Sequence, residues 1–144
     1  MRCLPATEED KLFLKDLNRE VYESVVVEQF GAWDDAFQDR HFEEKWAVQE
    51  YQIVEQAGQR IGAIWVAKEP DHLWLREIQI SPSHQNQGIG TELLMKVMDE
   101  AGKSGLPLRL RVLTENRAKA LYERLGFKVI GMHGDTHYWM EHAR

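Results

Sequence analysis

The 144-residue chain is poor in the features that mark secreted, membrane-spanning and extended proteins. It has one cysteine, Cys3, so no internal disulfide can form, which fits a reducing compartment. No run of about eighteen apolar residues is present, which excludes a hydrophobic transmembrane helix, and the first residues lack the apolar segment of a signal peptide. Internal repeats, low-complexity tracts and flexible linkers are absent as well. We therefore expect one domain over residues 1–144, located in the cytoplasm and without a membrane partner.

The charged residues are unevenly distributed along the chain. Residues 1–60 carry 14 acidic and 7 basic side chains, whereas residues 61–144 carry 10 acidic and 11 basic ones. Proteins that bind nucleic acid gain much of their affinity by neutralising phosphates with lysine and arginine, so we expect no nucleic-acid partner. The distribution suits a small polyanion on the C-terminal part and a cationic partner on the N-terminal part, although ordinary solvated surfaces give the same pattern.

The periodicity of apolar residues predicts a mixed α/β fold with helices packed against one sheet. After a short opening strand, segments with helical spacing are predicted as helices, and segments with alternating spacing as strands. The predicted helices lie near 7–24, 34–46, from the glycine motif to about Gly102 or Gly105, and near 116–125. The predicted strands lie near 51–56, 60–68, 72–80, 107–113, 127–132 and 136–142. The resulting order is β-αα-βββ-α-β-α-ββ.

Two close glycines, Gly88 and Gly90, stand where the strand at 72–80 passes into an amphipathic helix. A helix N-terminus favours an anion through its unpaired amides and its dipole, and glycine allows a bulky anion to approach the main chain. A nucleotide P-loop requires Lys-Ser/Thr after its second glycine, where Thr91-Glu92 stands, and a dinucleotide fingerprint requires a third glycine, where Leu93 stands. Neither of these nucleotide motifs fits.

The spacing that does fit is Q-x-x-G-x-G at residues 85–90, which resembles motif A of the GNAT superfamily of acyl-CoA-dependent N-acyltransferases. A second stretch, ALYERLGF at 120–127 after Ala118, resembles the family's A-x-x-x-Y-x-x-x-G-F segment. Both motifs stand in the family's order, and the matching elements cover residues 51–142. The resemblance implies a splayed, mostly antiparallel sheet flanked by helices. It also implies a single-domain, bacterial-type N-acetyltransferase that uses acetyl-CoA.

The resemblance further implies which residues bind the donor. In the family, the strand before motif A lines the pantetheine and thioester with its main chain, the loop amides hold the pyrophosphate, and the glutamine braces the loop. The implied cofactor-binding residues are Ile78, Gln79, Ile80, Gln85, Gln87, Gly88, Ile89, Gly90 and Thr91. Asn116 is included too, although many members carry this asparagine one position earlier, where Glu115 stands here.

Direct transfer to an amine requires that two protons be handled. An alkylammonium has a pKa near ~10.4, so most acceptors must lose a proton before they attack, and the departing thiolate must be stabilised. Tyr122 matches the family's general-acid tyrosine, with ordinary core packing as the alternative. Glu77, on the strand beside the implied thioester, is the candidate base, with a structural ion pair to Arg76 or another cation as an equal alternative. Cys3 has no histidine partner, so an acyl-cysteine step is not expected.

The acceptor site is less defined by the sequence. In the family, the first two helices and the last strands shape it, and here those regions place carboxylates beside aromatic rings that can attract a cation. The predicted substrate contacts are Glu28, Trp33 and Tyr138, with helix packing and solvated caps as the alternative. No metal site is expected, because on a strand His137 and His142 face opposite sides.

Two functions follow from these residues and the resemblance. The first is an N-acetyltransferase that moves the acetyl group of acetyl-CoA to a primary amine of a cationic acceptor, such as a small molecule, a lysine side chain or a protein N-terminus. The alternative is a non-catalytic acyl-CoA-binding sensor or regulatory module. Tyr122 and Glu77 favour the enzyme, because a sensor needs neither. The family also implies a possible homodimer through the terminal strands.

Overall fold

The computed structural model describes residues 1–48 and 50–143, and across them strands and helices follow the order β-αα-βββ-α-β-α-ββ. The strands are β1 (Arg2–Pro5), β2 (Tyr51–Gln56), β3 (Gln59–Lys68), β4 (Leu73–Ile80), β5 (Leu108–Leu113), β6 (Lys128–His133) and β7 (His137–His142). The helices are α1 (Lys11–Phe30), α2 (Asp35–Lys45), α3 (Ile89–Ser104) and α4 (Ala118–Arg124). The predicted fold class is confirmed.

The first helix begins and ends later than the sequence predicted. The amide of Thr7 donates to Asp10 Oδ2 at 2.8 Å, and this contact holds a single 3-10 turn, so α1 starts at Lys11. The helix continues to Phe30 because Gly31, with φ of 90°, is the first residue whose left-handed backbone ends it. No helix in the described part of the chain is both long and apolar enough to cross a bilayer.

The strands form one seven-stranded sheet that opens at its centre. The strand order is β1-β2-β3-β4-β5-β7-β6, and β4 and β5 run parallel whereas the other neighbouring pairs are antiparallel. Strands β4 and β5 pair only from Leu73–Leu108 to Leu75–Leu110, although β4 continues to Ile80 and β5 to Leu113. Residues 76–80 and 111–113 therefore separate, and we call the space between them the β4–β5 gap.

A β-bulge marks the point where this gap opens. Trp65 of β3 pairs with Glu77, and the next residue, Val66, pairs with Leu75, so Arg76 has no partner on β3. Bulges add one residue to a strand and increase its local twist. The bulge and the loss of pairing to β5 occur at the same place, so β4 changes direction there.

The sheet has a packed core on each side. On the side covered by α3 and α4, the fully buried side chains include Leu93, Leu94, Leu108, Leu110 and Met140. On the side covered by α1 and α2, the core consists of Ala6, Leu14, Leu17, Phe42, Tyr51, Ile53, Ala63 and Trp65. Burying a large apolar side chain contributes roughly 1.5–3 kcal/mol, so each layer holds its helices firmly against the strands that border the gap.

A single side chain fastens the end of α1 across the open end of the sheet. Gln29 Nε2 donates to Thr136 O in the β6–β7 turn at 2.8 Å, and Gln29 Oε1 accepts from the amide of Glu115 after β5 at 3.1 Å. Because both ends of the amide are used, α1 is tied to two connections that follow the β4–β5 gap.

Candidate active site

The loop between β4 and α3 presents free backbone amides. Gly88 has a left-handed φ of 81°, and Asn86 also has a positive φ, of 62°. The first hydrogen bond of α3 runs from Glu92 N to Gly88 O at 3.0 Å, so the amides of residues 89–91 lie ahead of it without a preceding helical carbonyl. These amides and the positive end of a 16-residue helix point in the same direction, which is the arrangement that binds phosphate groups.

The space beside Gly90, at the start of α3, is open. The φ of Gly90 lies outside the left-handed region, and a Cβ added there would meet no other atom within 4 Å. Glycine in a helix costs about 0.5–1 kcal/mol relative to alanine, so neither the backbone nor packing explains it. An open surface beside free amides fits the pyrophosphate of coenzyme A.

Gln85 ties the loop to the end of β4. Its Nε2 donates to the carbonyl of Ile80 at 2.9 Å, which is the bracing contact that the family resemblance implies. The side chains of Ile78 and Ile80 pack into the core on the α3–α4 side, whereas Gln79 is buried on the other side and donates to Asn18 Oδ1 at 3.2 Å. The main chain of these three residues borders the β4–β5 gap.

The side-chain oxygen of Asn116 forms a hydrogen bond within the protein. Asn116 Oδ1 accepts from the amide of Ala118 at 2.9 Å, and the backbone amide of Asn116 donates to Leu113 O at 2.9 Å. The side-chain oxygen thus caps the start of α4. The one-residue shift seen in the sequence places the asparagine in this capping position.

Tyr122 lies on α4 and is 8% exposed, with its ring edge-on to Phe127 at a centroid distance of 5.8 Å. Burial raises the pKa of Tyr122 to about 12, and the charge of Glu77 adds to the increase. The phenol is therefore fully protonated at neutral pH, as a proton or hydrogen-bond donor must be.

Glu77 lies just beyond the bulge on the α1–α2 side of the sheet, and its side chain is 12% exposed. It accepts hydrogen bonds from Tyr22 Oη at 3.4 Å, Gln79 Nε2 at 3.3 Å and Lys45 Nζ at 3.3 Å. The cation paired with Glu77 is therefore Lys45 of α2 and not Arg76. Its carboxylate raises the pKa of both Tyr22 and Tyr122 after the larger effect of burial, so candidate base and candidate acid share one electrostatic environment.

Two side chains around Glu77 were missed by the sequence reasoning. Tyr22 and Lys45 stand on predicted helices without any motif, and only the packing of α1 and α2 on β4 brings them to the carboxylate. One signal was available on α1. Asn18 and Tyr22 are four residues apart, so they share a helix face, and both contact the polar side chains of β4.

The structure does not bring the three predicted substrate contacts together. Glu28 is exposed on α1. The guanidinium of Arg19 lies 5.7 Å from the Trp33 ring on the α1–α2 side, and Lys119 Nζ of α4 lies 4.9 Å from the Tyr138 ring on the other side of the sheet. Both rings thus already face a cation of the chain itself, and they cannot border one common pocket.

The histidines of the last two strands do not form one cluster, because His142 is separate from His133 and His137. The ring of His142 packs against Phe127 at 5.5 Å on the α3–α4 side, whereas His137 contacts His133 at 5.8 Å. Within residues 1–48 and 50–143, no three His, Cys, Asp or Glu side chains are grouped so that they could hold a metal ion.

A split sheet with an amide-lined helix start beside the split defines a class of transferases that take their acyl group from coenzyme A thioesters. Residues 18–127 match the Acetyltransferase (GNAT) family, and the chain belongs to this family. Membership assigns to the chain acetyl-CoA-dependent acyl transfer, with acetyl-CoA as the donor.

Solved structures with this fold cover nearly the whole chain. PaiA N-acetyltransferase from Thermoplasma acidophilum, in complex with coenzyme A, is 19% identical with a TM-score of 0.80 over 99% of this chain and 98% of that one. PH1933 from Pyrococcus horikoshii is 23% identical with a TM-score of 0.74 over 96% and 92%. The ribosomal-protein-S18-alanine N-acetyltransferase from Escherichia coli is 22% identical with a TM-score of 0.68 over 97% and 91%. At these identities the likeness establishes the fold. A search of curated protein sequences gave no significant match.

Proposed function

We propose that the chain is an N-acetyltransferase that moves the acetyl group of acetyl-CoA to a primary amine, which reaches the site as a cation. The observation that supports this proposal is that Glu77 and Tyr122 lie on opposite sides of the sheet and yet interact. Glu77 contacts the α1–α2 layer and Tyr122 lies in the α3–α4 core, and the charge of the first raises the pKa of the second. A base and an acid on opposite sides of a reacting group are what amide formation requires.

The donor would be held mainly by main-chain atoms. The amides of Gln87, Gly88, Ile89, Gly90 and Thr91 would bind the pyrophosphate, and the main chain of residues 78–80 would line the pantetheine, with Gln85 bracing the loop. Acetyl-CoA supplies an acetyl group on a thioester. Asn116 shapes this region by capping α4, and its side-chain nitrogen remains a candidate cofactor contact.

Glu77 would take a proton from the incoming ammonium, directly or through one water. Its oxygens already accept hydrogen bonds from Tyr22, Gln79 and Lys45, so the carboxylate is held in place and its orientation is fixed. The acetyl acceptor would then be a neutral amine, because only the unprotonated nitrogen has a lone pair for the attack. After the attack the nitrogen would lose its second proton, and one proton would pass to the leaving sulfur, so that an amide and a free thiol are formed.

Tyr122 would stabilise the sulfur as it leaves. Its pKa of about 12 lies above the ~8.5 of an ordinary thiol, so the phenol acts first as a hydrogen-bond donor to the developing thiolate. When Glu77 has taken the amine proton, its negative charge is gone, and its contribution to the raised pKa of Tyr122 disappears. The Tyr122 phenol would therefore become more acidic after Glu77 has acted as the base.

The test is an assay of free thiol in mixtures of the protein, acetyl-CoA and a panel of primary amines that includes diamines, amino acids, lysine peptides and peptides with free N-termini. We expect thiol release that depends on the amine. A rise in melting temperature with coenzyme A but no thiol release with any amine would contradict the proposal and favour the non-catalytic sensor. If neither is observed, both functions fail.

Two further parts of the proposal concern the context of the enzyme. We place it in the cytoplasm, which its single cysteine supports. We also propose a homodimer through β6, an edge strand on which Val129, Ile130 and Met132 are 43–51% exposed, because unpaired apolar edges are sites of strand pairing. Sedimentation equilibrium of the wild type and Ile130→Asp checks this, and a wild-type monomer would contradict it.

A further inference from the structure

A row of tryptophans and arginines crosses the α1–α2 side of the sheet next to Glu77. The Arg76 guanidinium lies 4.4 Å from the Trp65 ring and 4.1 Å from the Trp74 ring. The Arg111 guanidinium lies 5.4 Å from the Trp74 ring and 5.5 Å from the Trp139 ring. Apart from the buried Trp65, these side chains are half-buried, so the row is a partly open surface formed by β4, β5 and β7.

The two arginines of this row have no carboxylate partner within residues 1–48 and 50–143. Arg109, two residues before Arg111 on the same strand, shows the contrast, because its Nε donates to Glu141 at 2.7 Å. Glu77, the carboxylate nearest in sequence, is paired with Lys45 instead. Two like charges are thus held at the surface of the site, and neither forms an ion pair with the described residues.

The two arginines are also close enough to affect each other. Burial lowers the pKa of Arg111, and the positive charge of Arg76 lowers it further, while the negative charge of Glu77 opposes this by a smaller amount. Half-buried cations side by side are unfavourable unless an anion joins them. The ring faces hold the planes of the guanidinium groups, which leaves their N–H edges available for a carboxylate or a phosphate.

The position of the pair relates it to the transfer site. The last rung between β4 and β5 joins Leu75 to Leu110, and Arg76 and Arg111 are the next residues on each strand. They therefore stand on opposite sides of the opening of the β4–β5 gap, and Arg76 immediately precedes Glu77.

We propose that the amine acceptor carries an anionic group, a carboxylate or a phosphate, which Arg76 and Arg111 bind together while its ammonium lies at Glu77. This inference rests on the proposed function and narrows its substrate class to zwitterionic amines, such as free amino acids or phosphorylated amines. A lysine side chain within a neutral or basic surface does not meet this requirement.

The experiment compares matched acceptors that differ only in the anion. Each standard amino acid is assayed against its carboxamide, and ethanolamine phosphate against ethanolamine, with saturating acetyl-CoA. We expect kcat/KM at least about tenfold higher for the preferred anionic member. Arg76→Gln and Arg111→Gln should reduce that ratio by about tenfold, mainly through KM, with little change for the uncharged member. Arg109→Gln, on the same strand but already paired, is the control and should keep the ratio.

A ratio near one in the wild type, or an unchanged ratio in both variants, would overturn the inference and leave the arginines with a packing role. Arg111→Lys provides a second variant that keeps the positive charge but loses the planar guanidinium, which binds a carboxylate or phosphate through two N–H groups. It should lose most of the preference for the anionic acceptor. If no amine is acetylated, the proposed function fails, and the anion site is decided by calorimetric titration of inorganic phosphate into protein saturated with coenzyme A. Weaker phosphate binding in the glutamine variants supports the site, and equal binding overturns it.

Discussion

The side of the molecule that we propose binds the donor and the side that we propose binds the acceptor use different parts of the chain; we call them the donor side and the acceptor side. The donor side consists of the edge of β4, the loop at 85–91 and the start of α3, and it offers mostly main-chain groups. The acceptor side consists of α1, α2 and the α1–α2 face of β4, β5 and β7, and it offers side chains from five elements. Backbone binding needs only a short glycine pattern, whereas a side-chain pocket depends on residues far apart in sequence.

The largest loss of activity is expected from a change at Tyr122, the proposed general acid between the donor side and the acceptor side. Tyr122→Phe removes the hydroxyl and keeps the ring that packs on Phe127, so kcat should fall by roughly 100-fold or more while coenzyme A binds with nearly unchanged affinity. Steady-state rates and calorimetric titration with coenzyme A measure the two quantities. If kcat stays close to the wild-type value, Tyr122 serves the core alone.

Glu77→Gln tests the acceptor side. The amide keeps only one of the two acceptor oxygens, either the one that accepts from Lys45 or the one that accepts from Tyr22 and Gln79. It takes no proton, so kcat/KM for the amine at neutral pH should fall by roughly 10- to 100-fold. The deficit should shrink as pH rises, because more of the acceptor is then already unprotonated. A pH profile of kcat/KM measures this.

The matched control for Glu77→Gln is Glu141→Gln, another strand carboxylate with a cationic partner, Arg109, and it should leave the profile unchanged. A Glu77→Gln deficit that is the same at all pH values would assign a structural role to Glu77.

Gly90→Ala tests the donor side with a smaller change. The added methyl group meets no protein atom, and alanine is the better helix former by about 0.5–1 kcal/mol, so the melting temperature should rise. The same methyl group occupies the space reserved for the pyrophosphate, so KM for acetyl-CoA should increase by about tenfold, equivalent to ~1.4 kcal/mol.

Thermal unfolding and the dependence of rate on acetyl-CoA measure the two effects of Gly90→Ala. Gly131→Ala on β6 adds the same group in open space away from the loop and should leave KM unaltered. If Gly90→Ala also leaves KM unaltered, the loop does not bind the donor in the proposed way.

The smallest effect separates a cap from a cofactor contact. Asn116→Ala removes the acceptor that binds the Ala118 amide, which should cost about 1 kcal/mol of stability and lower the melting temperature by about 3 °C. Asn116→Asp keeps an acceptor oxygen and should retain the stability. A clear rise in KM for acetyl-CoA in Asn116→Ala would instead show that the side chain contacts the donor.

The order of elements and the donor loop could be predicted because their signals are local. Alternation predicted the strands, and two glycines at the start of a helix predicted an anion site for reasons that do not depend on the rest of the fold. The predicted end of α1 is six residues too early. The periodic apolar positions used for the prediction end before the helix does, and the helix ends at Phe30 because Gly31 follows in a left-handed conformation. The fold could be predicted well for this reason, and the helix boundaries less well.

The acceptor side could not be predicted in the same way. The sequence predicts Trp33 and Tyr138 as substrate contacts because they are aromatic residues in the regions expected to shape the acceptor site, but it does not show that Arg19 and Lys119 face their rings. In the stretch PLRLRVL at 107–113, apolar residues alternate with Arg109 and Arg111, and this alternation predicts that both arginines lie on one face of β5. Only the pairing of β7 with β5 shows that Glu141 forms an ion pair with Arg109, and that Arg111 contacts tryptophan rings and has no ion pair among the described residues.

Arg76 is the extra residue of the β-bulge, so it could be removed without changing how the rest of β4 pairs with β3. In a regular strand, neighbouring residues point to opposite faces, so a cation directly before Glu77 could not lie on the same side. Because Trp65–Glu77 and Val66–Leu75 already pair as consecutive rungs on β3, loss of residue 76 would close the strand without turning any other side chain. A positive contact beside the transfer site can thus be gained or lost by a single insertion or deletion, which changes acceptor preference while the sheet and the donor loop stay as they are.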